Sequence, residues 1–332
     1  MAEARRVRLK KRGFLIALAM LSAAWVPSTS YAQRYPAQPV RLVVPFPPSG
    51  GADILARAIA QKLTESFHMQ VVVDNRSGAG GMIGAENVAR AVPDGYSLVF
   101  AASSSLSINP HIGAKPPYDS LHDFTPVILI GQAPNVLVIH PSLPVKSVKE
   151  LIALAKARPG ELNMASNGIG SLSHLTGELF MLRAGIKMVH VPYKGGAPAV
   201  IDTVAGNVSV LFASLPTVDA QFRAGKLRAL AVTSAQRTPA APQLPTVAEA
   251  ALPGFESNQW WGVFGPAKMP SGIVARLNTE IGNALQDPNI KKLFATLGAE
   301  IAGGTPRDLT QYLKADYDRW GEVVRTARIV GQ

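Results

Sequence analysis

The 332-residue sequence contains no cysteine. This absence excludes disulfide bonds, zinc sites built on thiolates and cysteine nucleophiles. Charged residues make up 17% of the chain and hydrophobic residues 47%, which is typical of a globular protein with a sizeable core. The six histidines show no metal-ligand spacing, so we expect no metal site; they lie at positions 68, 111, 122, 140, 174 and 190.

The sequence also lacks an apolar run of the roughly 20 residues that a membrane-spanning helix needs. Its N-terminal run, FLIALAMLSAAWV, is shorter, follows six basic residues, and is followed by the small residues Ser30 and Ala32. This order predicts a secretory signal peptide over residues 1–32, cleaved after Ala32. The pair Arg5–Arg6 is a partial twin-arginine pattern, but Arg8 stands where an aromatic residue is expected, which favours the ordinary secretory route.

A clustered positive charge is missing as well. The formal net charge is +11, but the predicted signal peptide holds six basic residues and one acidic residue, so the mature chain carries +6. The remaining basic residues are scattered, and only Lys291 and Lys292 are adjacent. No basic stripe is present to bind nucleic acid.

Short β-rich runs alternate with helical periods through the rest of the chain. Helical spacing is clear at Ile54, Leu55 and Ile59, and Ser147 with Glu150 forms a capping-box pattern. This alternation predicts an α/β architecture with largely parallel sheets. The predicted strands are residues 39–46, 70–74, 96–102, 161–165, 187–192, 207–213 and 227–233.

Two long segments break the alternation. Residues 124–141 and 253–270 are apolar and extended, and we interpret both as chain crossings between two lobes. The segment 271–332 is predicted to be almost wholly helical, with Thr305, Pro306 and Asp308 capping its last helix.

Glycine-rich turns precede several of the predicted helices. The N-terminus of a helix leaves N–H groups without partners and carries partial positive charge, so anions bind there readily. The turns are PFPPSGGAD (45–53), ASNGIGSLSHLTGELF (165–180) and DNRSGAGGMIG (74–84). Taken singly, each is more often structural than functional, and Asp53 is interpreted as a helix-capping group.

The third turn raises the alternative of a dinucleotide site. Its glycines Gly78, Gly80 and Gly84 are spaced one residue more widely than the dinucleotide fingerprint, and no acidic residue ends the next strand. We therefore expect no cofactor.

Several successive blocks of the sequence carry a resemblance to one family. They are VPFPPSGGADILARAIAQKL, VVVDNRSGAGGMIGAENVARAVPDGYSL, INPHIGAKPPYDSLHDFTPV, NVLVIHPSLPVKSVKELIALAKARPGELNMASNGIGSLSHL, VPYKGGAPAVIDTVAGNV and PTVAEAALPGFESNQWWGVFGP. Together they resemble the Bug-type receptors, which are the extracytoplasmic substrate-binding proteins of tripartite tricarboxylate transporters. The resemblance covers nearly all of residues 35–332, in order and without large gaps. Two small departures are Ser49, where a further glycine or alanine is usual, and AKMPSG in place of AGTP.

The resemblance implies an α/β, two-lobed periplasmic binding protein of type II, the Venus-flytrap kind, with two interlobe crossings. Lobe 1 would comprise residues 35–132 plus 255–332, and lobe 2 residues 133–254. Such a protein is a monomeric periplasmic receptor, not an enzyme. It captures a small carboxylate (a di- or tricarboxylate, or an aromatic or amino-acid carboxylate) and passes it to membrane transporter subunits.

The resemblance also implies how the ligand is held. In this family backbone N–H groups, hydroxyls and ordered waters from both lobes grip a carboxylate without an arginine clamp, and water-bridged bonds can be nearly as favourable as direct ones. The expected contacts are Phe46, Ser49, Gly50, Gly51, Ser103 and Ser104 from lobe 1, and Asn167, Gly168, Ser171, His174, Tyr193, Gly195 and Ser214 from lobe 2.

Alternatives remain open at this point. Ser103 and Ser104 could equally be buried turn hydroxyls, and His174 could be a capping or packing residue. A secreted hydrolase would use Ser171 and His174, although the sequence names no third orienting group. A sensory receptor of the same fold would present its ligand to a signalling partner instead of a transporter.

Overall fold

Strands and helices alternate through the described part of the chain, which is residues 35–112 and 116–329 of a computed structural model. The predicted signal peptide and its cleavage after Ala32 lie outside these residues. From Gln38 onward the chain is one compact unit.

The first part of the chain builds strands that end in glycine- or serine-rich turns. The strand β3 (Ser97–Ala102) is followed by a π-helical turn, Ser104–Ile108, and a 3₁₀ turn, Asn109–His111. A long strand, β4 (Phe124–Ile139), comes next. The elements are β1 (Val40–Val44), α1 (Gly51–Phe67), β2 (Val71–Asn75), α2 (Met82–Ala89), β3 (Ser97–Ala102) and β4 (Phe124–Ile139).

The middle of the chain repeats the strand–helix alternation. Its elements are α3 (Val148–Ala157), β5 (Asn163–Ser166), α4 (Leu172–Ala184), β6 (Val189–Pro192), α5 (Gly196–Val204), β7 (Val210–Ser214), α6 (Leu215–Arg223), β8 (Arg228–Val232) and α7 (Val247–Ala250). All seven predicted strands are therefore confirmed.

The last part is mainly helical, as predicted, but it contains one strand that the sequence did not reveal. Its elements are β9 (Asn258–Pro266), α8 (Ser271–Ala284), α9 (Pro288–Thr296), β10 (Glu300–Gly303) and α10 (Pro306–Ala327). The missed strand, β10, has four residues and a single β-branched one, so it forms because β4 offers it a partner.

Two helix starts test the capping predictions. At α10, Thr305 and Asp308 form the complete capping box, as predicted. At α3, the hydroxyl of Ser147 accepts the N–H of Glu150, but the Glu150 carboxylate accepts the N–H of Lys146 instead of that of Ser147. The Ser147 cap of α3 is therefore confirmed, but the second hydrogen bond of a capping box, from the Ser147 N–H to Glu150, is not formed.

Two sheets share the strand β4. In the first sheet, Phe124–Pro134 of β4 pairs with β9, and the order continues through β3 and β1 to β2. In the second sheet, Asn135–Ile139 of β4 pairs with β7 and β8, and β7 leads to β5 and β6. The single strand β4 thus carries the chain from one sheet to the other.

The prediction of largely parallel sheets is wrong. The pairs β1–β2, β1–β3, β5–β6 and β5–β7 are parallel, but every pair that involves β4 or β9 is antiparallel. The crossing strands run against the strands beside them because the chain enters and leaves the second sheet through them.

Alternate residues of the second sheet face two separate cores. On β4, Val136 and Val138 pack in one apolar cluster, while Leu137 and Ile139 pack in the other. This is the two-residue period of a strand that is buried on both faces.

The C-terminal helix α10 joins the cores of both sheets. Its Leu309 and Leu313 pack with strands of the first sheet, and its fully buried Trp320 packs in a core of the second sheet. Between them, the carboxylate of Asp316 accepts the indole N–H of Trp260 on β9 at 2.7 Å. The helix therefore ties the crossing strand β9 to both sheets.

We predict that Trp320→Ala destabilises the protein by about 3–5 kcal/mol, because the substitution empties a fully buried aromatic site. Urea unfolding followed by circular dichroism measures the loss. Ile201→Ala, at a side chain that is 66% exposed, is the control and should stay within about 0.5 kcal/mol of the wild type. Equal stability of the two variants would contradict the packing role of α10.

Candidate functional site

The candidate site residues follow the carboxyl ends of strands in both sheets. The turns after β1 and β3 belong to the first sheet, and those after β5, β6 and β7 to the second. Ligands of α/β proteins bind outside the carboxyl ends of the strands, where several such turns converge.

The turn between β1 and α1 leaves a group of N–H donors without partners. Gly50 is the N-cap residue of α1, with an extended backbone and no side-chain cap. Within the described residues, the N–H groups of Gly50, Gly51, Ala52 and Asp53 donate to no protein acceptor. Free donors and the positive end of a 17-residue helix thus coincide at this turn.

Asp53 fixes the shape of this turn from inside the protein. Its carboxylate, 2% exposed, accepts the N–H of Ser49 at 2.9 Å, the guanidinium of Arg57 at 3.0 Å and the side-chain amide of Asn75 at 2.8 Å. Burial raises the pKa of Asp53, but these hydrogen bonds outweigh burial and hold the pKa below its ordinary value. Ser49 therefore donates its N–H to Asp53 within the protein. The Ser49 backbone is left-handed, with φ of 67°.

The expected residues Phe46, Ser103 and Ser104 lie near the third glycine turn. A Cβ placed on Gly81 would stand 3.3 Å from the Phe46 ring and 3.0 Å from Cβ of Ser105. Ser103 is fully buried and its hydroxyl has no hydrogen-bond partner among the described residues, whereas Ser104 is half-buried.

This third turn is filled by protein. The side-chain amide of Asn109 donates to the carbonyl of Gly80 at 2.9 Å, and a Cβ on Gly80 would overlap that same amide. The space against the glycines is therefore taken by Asn109 and Phe46, an arrangement that does not favour a dinucleotide site.

In the second sheet, the turn after β5 is held by side chains beneath it. The N–H groups of Asn167, Gly168 and Gly170 donate to Ser173 Oγ, Ser166 Oγ and His174 Nδ1, at 2.8, 3.1 and 3.2 Å. The hydroxyl of Ser171 caps α4 by accepting the N–H of His174, and it donates to the carbonyl of Gly168. These expected contact residues therefore use much of their hydrogen-bonding capacity within the protein.

The turns after β6 and β7 pack beside this loop. Gly195 donates its N–H to the carbonyl of Asn167 at 3.2 Å, and a Cβ on Gly196 would stand 3.5 Å from Thr217. The hydroxyls of Ser214 and Thr217 are 2.6 Å apart. Three turns of the second sheet are thus brought together, as expected.

Tyr193, which lies in the turn after β6, uses its hydroxyl within the protein. Its hydroxyl donates to the carboxylate of Asp202, inside α5, at 2.7 Å. Burial, together with this carboxylate, raises the pKa of Tyr193 to about 12. The phenol hydroxyl is therefore engaged within its own part of the fold.

His174 contacts protein groups through both ring nitrogens. Nδ1 accepts from Gly170, and Nε2 lies 3.4 Å from the Glu178 carboxylate. The ring is 5% exposed and stacks on His190 with 3.9 Å between ring centroids. No bond joins the ring to the Ser171 hydroxyl, so the pair that a hydrolase would require is not formed.

The two groups of turns meet at the segment after β3. A Cβ on Gly170 would stand 3.5 Å from Cδ1 of Ile112. Asn109, Ile112 and Thr217 were not singled out by sequence reasoning, because a polar or branched residue after a strand carries no chemical signature of its own. The INPHIG block was the only signal for Asn109 and Ile112, and Thr217 lies outside the blocks that carry the resemblance.

Two further features are missing from residues 35–112 and 116–329. In that part of the chain, no cluster of three or more acidic or histidine residues is arranged to hold a metal ion. None of its helices is both long and apolar enough to cross a membrane.

Comparisons with known proteins agree on one family. The family model described as "Tripartite tricarboxylate transporter family receptor" matches residues 55–329. Protein BugT of Bordetella pertussis is 40% identical over 310 residues, which cover 92% of this chain and 94% of BugT.

Three solved structures show the same fold. Rpa4515 of R. palustris, solved with adipate, has a TM-score of 0.72 and 40% identity over 89% of this chain and 99% of its own. The periplasmic binding protein BugD has a TM-score of 0.69 and 34% identity, over 90% and 100% of the two chains. MatC from Rhodopseudomonas palustris, with bound malate, has a TM-score of 0.69 and 31% identity, over 87% and 100%. The predicted α/β, two-lobed fold class is confirmed.

We predict that Asp53→Asn destabilises the protein by about 2 kcal/mol at neutral pH, because it removes a buried charge that accepts three hydrogen bonds. The folded-state pKa lies below the ordinary 3.8, so the carboxylate stabilises the fold above that pH and loses its effect as the pH falls through the folded value. Urea unfolding from neutral to acid pH measures the difference in free energy of unfolding between the wild type and Asp53→Asn. This difference should become smaller only in acid.

Asp219→Asn is the matched control, because Asp219 also pairs with an arginine one helical turn away but on the surface. Its cost should be at most about 1 kcal/mol. A difference for Asp53→Asn that does not change between neutral and acid pH would contradict the role given to its charge.

Proposed function

The chain belongs to the tripartite tricarboxylate transporter receptor family, and from that premise we propose that it captures a small carboxylate in the periplasm for a membrane transporter. It is a solute-binding receptor of the Bug type. Rpa4515 was solved with adipate and MatC with malate, so relatives of this chain bind dicarboxylates. The ligand of this chain is proposed to come from the same class.

The free N–H groups at the start of α1 are the observation that carries this proposal. Four consecutive N–H groups, from Gly50 to Asp53, have no acceptor within the described residues. The nearest cation along the chain, Arg57, is engaged by Asp53 and Asn75. A carboxylate at this turn would therefore be held by backbone donors and the helix dipole.

The second sheet offers matching donors. The N–H groups of Gly196 and Ala197, at the start of α5, have no acceptor in the described part of the chain, and the side-chain amide of Asn167 lies beside them. We propose that these groups, with the hydroxyls of Ser214 and Thr217, complete the grip when the lobes close. Phe46, Ser104, Gly168 and Gly195 would line the same cleft, while Ser49, Ser103, Ser171, His174 and Tyr193 would shape it.

Closure requires that the ligand contact the closed state better than the open one. Donors from both sheets meet this requirement, because the full set converges only when the lobes approach. The proposed lobes are residues 35–132 plus 255–332, and residues 133–254. The change of partners along β4, from β9 up to Pro134 to β7 from Asn135, supports the first boundary.

A panel of mono-, di- and tricarboxylates, adipate and malate included, tests the function by isothermal titration calorimetry on the mature protein. At least one acid should bind, and binding should reduce the radius of gyration in small-angle X-ray scattering as the lobes close. A panel without any binding would overturn the proposal.

We predict that Gly51→Pro weakens carboxylate binding by roughly 10- to 100-fold, because it deletes one N–H that bonds a charged ligand. Gly51 is the first residue of α1, a position where proline is well tolerated, and no atom lies within 4 Å of a Cβ built there. The fold should therefore be unaffected, which a thermal melt will show.

Gly51→Ala is the matched control, because it adds a side chain at the same site but keeps the N–H. It should bind within about threefold of the wild type, since only the N–H forms the proposed bond. Equal affinities of the proline and alanine variants would show that this N–H does not hold the ligand.

A further inference from the structure

Three buried side chains set the shape of the turn after β5. Ser166, Ser173 and His174, which we call the loop acceptors, accept the N–H groups of Gly168, Asn167 and Gly170. All three are at most 5% exposed. The turn needs such support because Gly168 and Gly170 both have positive φ, 123° and 76°, so that no regular helix or strand holds them.

His174 is the one loop acceptor whose side chain can take up a proton and become charged. Its Nδ1 accepts the N–H of Gly170, so the proton of the neutral ring must be on Nε2, which faces Glu178 at 3.4 Å. A second proton would sit on Nδ1 and point at the Gly170 N–H. Protonation thus converts an acceptor into a donor that opposes another donor.

Two ionisable side chains face the His174 ring. Among the described residues, these are Glu178 of its own helix and His190 of β6. Burial, with the neighbouring His174 ring, lowers the pKa of His190 to about 4. His190 therefore stays neutral at ordinary pH, and its Nε2 lies 2.6 Å from the hydroxyl of Ser166, another loop acceptor.

Protonation of His174 has opposite effects at its two nitrogens. The carboxylate of Glu178 interacts more strongly with a charged ring, whereas the bond from Gly170 is lost. The protonated ring can therefore remain stacked on His190. What is lost is the hydrogen bond that holds the turn.

We infer that His174 is a positioning residue, whose neutral ring holds Gly170 and thereby the turn 167–171 in its binding shape, so that carboxylate affinity falls in acid. This inference rests on the proposed function. It gives His174 a role behind the turn instead of a contact with the ligand.

Two variants distinguish the hydrogen-bond acceptor of His174 from its stacked ring. In His174→Asn, the amide oxygen can stand where Nδ1 stood, and the side chain does not titrate. In His174→Phe, the ring can still stack on His190, but the acceptor is lost. The affinity for adipate and malate is measured for each protein from about pH 8 to about pH 5.5.

The wild type should lose roughly tenfold in affinity as the pH falls, because one hydrogen bond of the turn is lost. The Asn variant should bind well, with an affinity that does not change with pH. The Phe variant should bind weakly at every pH. A wild-type affinity that does not change with pH, or one that falls equally in the Asn variant, would overturn the inference. A Phe variant that folds and binds as well as the Asn variant would overturn it too.

A second measurement needs no ligand. The ¹⁵N–¹H signal of Gly170 in the free protein should shift with pH in the wild type and not in His174→Asn. If the wild type binds neither acid at about pH 8, the proposed choice of ligand fails, and this signal still tests the positioning role. A Gly170 signal that shifts identically in both proteins would contradict it, and this comparison also decides the matter if the Phe variant does not fold.

Discussion

A carboxylate loses its hydration when it enters a protein, and something must replace the hydrogen bonds that water gave it. At the proposed site the replacement is the peptide backbone. Within the described residues, the N–H groups from Gly50 to Asp53 at the start of α1 have no acceptor, and the neighbouring cation Arg57 is already paired. Free donors at a helix end are ordinary, but here a buried network fixes them in place. Asp53 sits behind the turn and holds Ser49, so the donors are oriented before any ligand arrives.

The second sheet has the same combination of buried side chains that fix a turn and backbone N–H groups without acceptors. Buried side chains accept the N–H groups of Asn167 and Gly168, while those at the start of α5 have no acceptor in the described part of the chain. In the proposed site, buried side chains make the turns rigid and the backbone supplies the donors for the ligand. Two elements link the two sheets. The strand β4 belongs to both sheets, and the helix α10 packs on the cores of both.

Much of the fold could be predicted from the sequence because local pattern and tertiary role agree. The seven strands were readable from apolar runs bounded by turns, and the crossings from runs too long for a small sheet. The strand β10 was not readable, because its four residues become a strand only through β4. The antiparallel pairing of β4 and β9 was also missed, since strand direction depends on where the chain returns and not on the residues of the strand.

For the site, the turns could be located but their hydrogen bonds could not. Glycine and serine after a strand mark a place where backbone can approach a ligand. Whether a hydroxyl points to a ligand or back into the protein depends on which elements pack beside it, as with Tyr193 and Asp202 of α5. His174 shows the same limit, because its partner Gly170 is local but the His190 ring that stacks on it comes from the strand β6.

The most direct test of backbone capture is a crystal structure of the mature protein with its bound acid. We predict a carboxylate oxygen within about 3.2 Å of the amide nitrogens at the start of α1, with donors from the turns of the second sheet closing on the same ligand. A carboxylate held by a lysine or arginine side chain, with the amides of Gly50 and Gly51 out of reach, would contradict it.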